Sequence, residues 1–162
     1  MLIDANLLTQ LRQTYTMDWE GFHGFAHWCR VRENGLRLAE INGANSKVIE
    51  YFAFFHDNQR LSDGRDPLHG SRAADLIKKQ YAAKLDLNSE ELDELYVACE
   101  NHTKGWIEAP KTIQTCWDAD RLDLWRVGSM PDRSRLCTEA AKSEEIIQWA
   151  VKRSNAWREA RH

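Results

Sequence analysis

The sequence has few residues that interrupt helices or favour sheets. Its 162 residues hold three prolines and eight glycines, and β-branched residues are sparse, which points away from strands and towards an all-α fold. Nowhere does an apolar run approach the roughly 20 residues of a membrane span. The opening Met1-Leu2-Ile3-Asp4-Ala5-Asn6 lacks a basic region followed by a long apolar one, so neither a leader nor a membrane anchor is expected, and a cytoplasmic location is. The four cysteines, Cys29, Cys99, Cys116 and Cys137, form no CxxC pair. They fall among helical core positions and read as free, buried thiols. An excess of positive charge is also missing. The formal net charge is −3, which leaves no electrostatic footprint for a nucleic-acid polymer as partner. No repeat, low-complexity segment or linker divides the chain, so residues 1–162 are expected to form one soluble domain with a substantial core.

What the sequence does have is a series of helical apolar stripes. A first helix is predicted from about Asp4 to Tyr15, with Leu7, Leu8 and Leu11 on one face. The stretch Met17 to Gly24 breaks the pattern, and its glycines mark a loop in which His23 is expected at the surface or rim. A second helix, Phe25 to Asn42, carries His27, Val31, Leu38 and Ile41 on its stripe. A third, Ser46 to His56, carries Val48, Phe52, Phe55 and His56, and ends in Asp57 where the polar Asn58-Gln59-Arg60 takes over. Asp66 as N-cap and Pro67 at the first helical position predict a fourth helix, with His69, Ala73, Leu76, Ile77 and Tyr81 on a common face. Asn88 or Ser89 caps a fifth, with stripe Leu92, Leu95, Tyr96 and Cys99 leading to His102. The sixth is expected over Lys111 to Val127, with Ile113, Cys116, Trp117, Leu124 and Val127 apolar and Asp120 in their midst. Asp118 and Asp123 lie off the centre of that face. A last helix is predicted over about 143–160, packed through Ile146, Ile147, Ala150 and Val151.

Three helices thus place ligand-type residues, His27, His56 with Asp57, and Asp120, where core residues belong. Two more add His69 and His102. A buried carboxylate beside a buried histidine is costly unless something positive compensates it. A divalent cation would, and mixed imidazole and carboxylate donors suit Mn, Fe, Co, Ni, Zn or Mg.

The order His27, His56-Asp57, Asp120 resembles the H…HD…D signature of the HD-domain superfamily of metal-dependent phosphohydrolases, over roughly residues 20–130. His27-Trp-Cys-Arg-Val resembles the H-x-x-R-V start of that signature, and Phe54-Phe-His-Asp its apolar run into HD. Asp118-Ala-Asp120-Arg-Leu-Asp123 resembles its closing segment, whose second aspartate is the ligand. Asp66-Pro-Leu-His69-Gly-Ser-Arg-Ala-Ala is similar to stretches of small bacterial HD proteins. The resemblance implies an α-helical bundle with a central metal held by His27, His56, Asp57 and Asp120. It also implies hydrolysis of a small, nucleotide-like phosphomonoester or phosphodiester by metal-activated water.

Asp57 is then the group that orients the water, and His102 the first candidate for acid or base. His69 and His102 are expected either to hold a second metal or to contact phosphate. Arg60, Lys104 and Arg121 are the candidate substrate contacts. HD 5′-nucleotidases and stringent-response hydrolases carry an acidic residue just after HD, where this chain has Asn58, Gln59 and Arg60, so a mechanism using that carboxylate is not expected. Two rival readings remain open: a diiron oxygenase of the same superfamily, and a non-catalytic metal-binding or ligand-sensing domain. An exposed Trp149 or Trp157 on the last helix would suit a homodimer.

Overall fold

The computed structural model describes residues 1–161; His162, set aside as terminal from the sequence, lies outside them. Among the described residues every regular element is helical: α1 (Ala5–Thr14), α2 (Phe25–Asn42), α3 (Ser46–Phe55), α4 (His69–Leu76), α5 (Ser89–Asn101), α6 (Lys111–Arg121), α7 (Glu139–Lys142) and α8 (Glu144–Glu159). A π-helical turn, Ile77–Tyr81, extends α4, and two 3₁₀ turns, Leu124–Val127 and Arg133–Arg135, connect α6 to α7. No described helix is long and apolar enough to cross a membrane.

The caps explain most of the boundaries. Asp4 accepts from the Leu7 amide, Asn45 from those of Lys47 and Val48, and Asn88 forms a full capping box with Glu91, each satisfying amides a helix start leaves open. Gly43 takes the left-handed conformation, φ 74°, that ends α2. Helix α3 is largely apolar and is buried from Val48 to its end. It is the central rod, with α2, α5 and α6 packed around it and α4 against α5. Trp28, Phe52, Phe55, Leu95 and Trp117 fill the space between them. A smaller cluster, Leu38, Leu122, Leu136 and Ile147, seats α7 and α8 on the outer side of α2 and α6.

Several boundaries differ from the sequence reading, each for a visible reason. Helix α4 starts at His69, because Asp66 turns its carboxylate to the Leu61 amide and the Arg72 guanidinium instead of capping. Helix α6 stops at Arg121, and Val127 is exposed where a core position was expected. The chain tightens there to bring Asp123 inward. Ile41 is likewise exposed, at the fraying end of α2. Cys99 and Cys116 are buried free thiols, but Cys29 and Cys137 are free and only half-buried. Trp149 and Trp157 are not bare apolar surface. Both are half-buried, with Arg37 and Arg153 lying over Trp149, and Arg30 and Arg161 over Trp157.

Candidate metal centre

The centre forms where α3 runs out. His56 ends the helix and Asp57 follows it, both buried among α2, α4, α5 and α6. Helix α2 contributes His27, the first turn of α4 His69, the end of α5 His102, and α6 Asp120.

Each of these imidazoles is anchored through Nδ1. His56 donates to the carbonyls of Ala53 and Phe52 at 3.0 and 3.1 Å, His69 to that of Asp66 at 2.5 Å, and His102 to that of Cys99 at 2.7 Å. A carbonyl only accepts, so the proton sits on Nδ1 and a neutral ring keeps its lone pair on Nε2. His27 makes the same kind of bond, at 2.7 Å, to the carboxylate of Asp123.

The four Nε2 atoms then converge. His27 and His56 face each other at 3.2 Å, and His69 and His102 at 2.8 Å. Lone pairs at that range repel unless a proton or a cation lies between them. Two nitrogens each about 2.1 Å from one ion, at roughly a right angle, sit about 3 Å apart.

Asp57 divides its two oxygens between the pairs. Oδ2 lies 3.5 Å from His27 Nε2 and 3.7 Å from His56 Nε2, and Oδ1 lies 2.9 Å from His69 Nε2 and 3.4 Å from His102 Nε2. Asp120 Oδ1 joins the first pair, 3.3 Å from His27 and 3.7 Å from His56. His27, His56 and Asp57 offer ligand atoms within 4.8 Å of one another, as do Asp57, His69 and His102. The donor set fits a divalent cation: this buried cluster can hold a metal ion.

Charge balance agrees. Burial pushes the Asp57 carboxyl upward, but His56 and its bonds to His102, His23 and His27 outweigh that and hold it well below the usual range. Asp120 is also held low, against burial, by His27 and His56. Burial and Arg126 oppose a charge on His27, yet Asp120, Asp123 and Asp57 raise it to about 9. Without a cation, the carboxylates favour a proton on His27.

No family model, curated protein or solved structure matches the chain. The residues themselves therefore carry the reading.

Above the centre opens a cleft of about 650 Å³. Its floor includes Asp57, Asp120 and His102, and its walls carry Arg60, Arg126 and Arg135. Arg60 reaches Asp57 Oδ1 through Nε at 3.3 Å and also holds the carbonyls of Ser62 and Gly64. Arg121 lines the cleft as well, but its guanidinium donates to the carbonyls of Trp106 and Arg135, both at 2.7 Å, and so clamps two loops together. Lys104 stands outside the lining, with Nζ over the Trp106 ring at 4.9 Å.

Three groups went unread in the sequence. His23, expected at the surface or rim, lines the cleft but is buried, with Nδ1 3.0 Å from Asp57 Oδ2. The cause is Gly24, whose missing Cβ lets the loop fold onto the carbonyls of Trp19 and Asp18. Asp123 is the second. It accepts from Arg30 at 2.7 and 3.0 Å and from Ser154 at 2.5 Å while it orients His27. Burial opposes its ionisation, but His27 with Arg126 and Arg30 lowers it to about 2. Arg126 is the third, buried between the Phe22 and Asp123 carbonyls at 2.9 and 3.1 Å. Asp118, by contrast, turns away to accept the amides of Cys137 and Thr138, at 2.6 and 2.8 Å.

Proposed function

We propose that this chain is a metal-dependent phosphohydrolase, of the kind its resemblance to the HD-domain superfamily implies, acting on a small phosphate ester. What carries the proposal is the convergence of four Nδ1-anchored imidazoles on the two oxygens of Asp57, at the floor of an arginine-walled cleft. Asp57 lies between two histidine pairs, and His56, His102 and Asp120 form a further group across them; the reading takes two divalent cations, one held by His27, His56 and Asp120, the other by His69 and His102.

Such cations lower the pKa of bound water to near neutrality and offset charge on a phosphoryl oxygen. Asp57 orients the attacking water, and Arg60 meets the phosphate at the mouth. His102 holds a cation rather than moving a proton, because its Nε2 faces Asp57 and His69 and its Nδ1 is committed to Cys99. The proton-transfer role falls to His23, which touches Asp57 through Nδ1 and lines the cleft.

A second reading draws on the same two donor sets: a diiron oxygenase, which also needs two cations but requires iron. One experiment separates them. The chain is loaded with manganese, cobalt, nickel, magnesium, zinc or iron and assayed on a panel of phosphomonoesters and phosphodiesters, with and without oxygen. Ester hydrolysis without oxygen, reduced to background in Asp57→Ala while the helical circular dichroism persists, is the expected result. Full activity in Asp57→Ala, or turnover that needs iron and consumes oxygen, overturns the hydrolase.

A further inference from the structure

Beside the main cleft lies a second, of about 460 Å³, which the chemistry above does not use. It is lined by Phe22, Arg126, Val127, Trp157, Arg158 and Arg161. Arg126 and Val127 also line the main cleft, so the two share a wall. The contrast in charge is sharp. Asp57, Asp63, Asp120 and Asp132 interleave with the arginines of the main cleft, whereas the second has, among the described residues, three arginines and no carboxylate in its lining.

The three guanidiniums have donors to spare. Arg126 is about nineteen-twentieths buried, at 5% exposure. Its Nε and Nη1 are satisfied by the carbonyls of Phe22 and Asp123, and Nη2 lies 3.4 Å from His23 Nδ1. That nitrogen donates its own proton to Asp57, which can only accept, so it has no lone pair for Arg126. Nη2 is therefore a buried charged donor lacking an acceptor at His23. Arg158 and Arg161 each donate to one main-chain carbonyl, of Trp125 and of Glu20, neutral acceptors that leave their charge uncompensated among the described residues. Both lie over aromatic faces, Arg158 on Trp125 at 4.9 Å and Arg161 on Trp157 at 4.8 Å. Stacking of that kind leaves the in-plane N–H edge open to an oxyanion.

We propose that the second cleft is a subsite for a second oxyanion group of the substrate, phosphate in chemistry, so that the chain selects esters with two separated anionic groups. Only the word substrate rests on the hydrolase reading; the anion site itself does not. Planar guanidinium donors match phosphate oxygens in geometry and charge, and Phe22, 42% exposed, with Trp157 supplies an apolar wall for the segment that joins the two groups.

The test is tripolyphosphate binding to the full, metal-loaded chain, read by tryptophan fluorescence and calorimetry at two salt concentrations. The double variant Arg158→Ala/Arg161→Ala is expected to bind about tenfold more weakly. A charge-matched control, Lys142→Ala/Lys152→Ala, removes two cations away from the cleft and is expected to change affinity less than about twofold. Equal weakening in both doubles means diffuse attraction and overturns the subsite, as does unchanged affinity in the arginine variant or no binding by the parent chain. Because the readout needs no turnover, failure of the hydrolase reading would show separately, as absence of ester hydrolysis.

Discussion

The two halves of the centre are built from the same ligand types but held by different means. His27, in the first, is gripped by a carboxylate, Asp123, which is itself fixed by Arg30 and Ser154 from two helices. His69 and His102, in the second, hang from main-chain carbonyls. Their approach depends on α4 lying directly against the last turn of α5. At Gly70 a Cβ would overlap the Cys99 carbonyl oxygen and crowd that of Glu100 at 3.1 Å and His102 Nδ1 at 3.2 Å. A carboxylate behind an imidazole makes it a stronger ligand than a carbonyl does. In the first set only His27 has a carboxylate behind it, while His56 hangs from main-chain carbonyls, and the approach of the second pair depends on how closely two backbones can pack.

Asp57 serves both sets, so its loss is the largest perturbation. On the two-cation proposal, Asp57→Ala is expected to bring metal content, measured by elemental analysis, from two ions to one or none, with helicity preserved.

The next largest effect separates the halves. Gly70→Ala is expected to lose the second ion and keep the first, because the added methyl forces α4 off α5 and parts His69 from His102. Gly35→Ala is the control, since its Cβ would also meet close neighbours, the Ile49 and Ala119 side chains, on α3 and α6 and not at the contact of α4 with α5. If both variants keep two ions, the second set does not depend on that approach.

Asp123→Asn works on the other half. It keeps the shape but removes the charge behind His27, and first-set affinity is expected to fall about 10- to 100-fold. Competition with a fluorescent chelator would show this as loss of the tighter of two sites. Equal weakening of both sites would dissolve the distinction between them.

The smallest effect is on the stability of metal-free protein in acid. Asp123 is held at about 2, against the ordinary aspartate value of 3.8. A lowered carboxylate adds stability above its unfolded pKa, and that stability is lost as pH falls through the folded one. Thermal unfolding should therefore lose on the order of 2 kcal/mol from this group between about pH 4 and pH 2. Asp123→Asn should flatten that part of the pH profile, and an unchanged slope would deny the carboxylate its ion pairs.

The convergence of these side chains was legible in the sequence because each sits on the apolar stripe of its helix. Helical spacing placed His56 behind Phe52, and His102 behind Cys99, with no knowledge of neighbouring helices. The same reasoning chose Asp120 over Asp118, which turns instead to the amides of Cys137 and Thr138. Periodicity failed where the chain leaves the helix. Asp123 lies two residues past the end of α6, so its inward turn depends on the tightening after Arg121 and on partners 93 and 31 positions away. His23 was hidden similarly, since its burial depends on one close approach at Gly24. Arg121 and Lys104 show the limit of reading charge alone. Their side chains are spent on loop carbonyls and on an indole face, and no local pattern marks either contact.

The most direct test is the number and identity of metal ions per chain in protein purified without a chelating tag. The account predicts two divalent cations per chain, the second leaving in Gly70→Ala. A chain that takes up no metal even after divalent ions are added back, or that binds one and cannot be loaded with another, would contradict it.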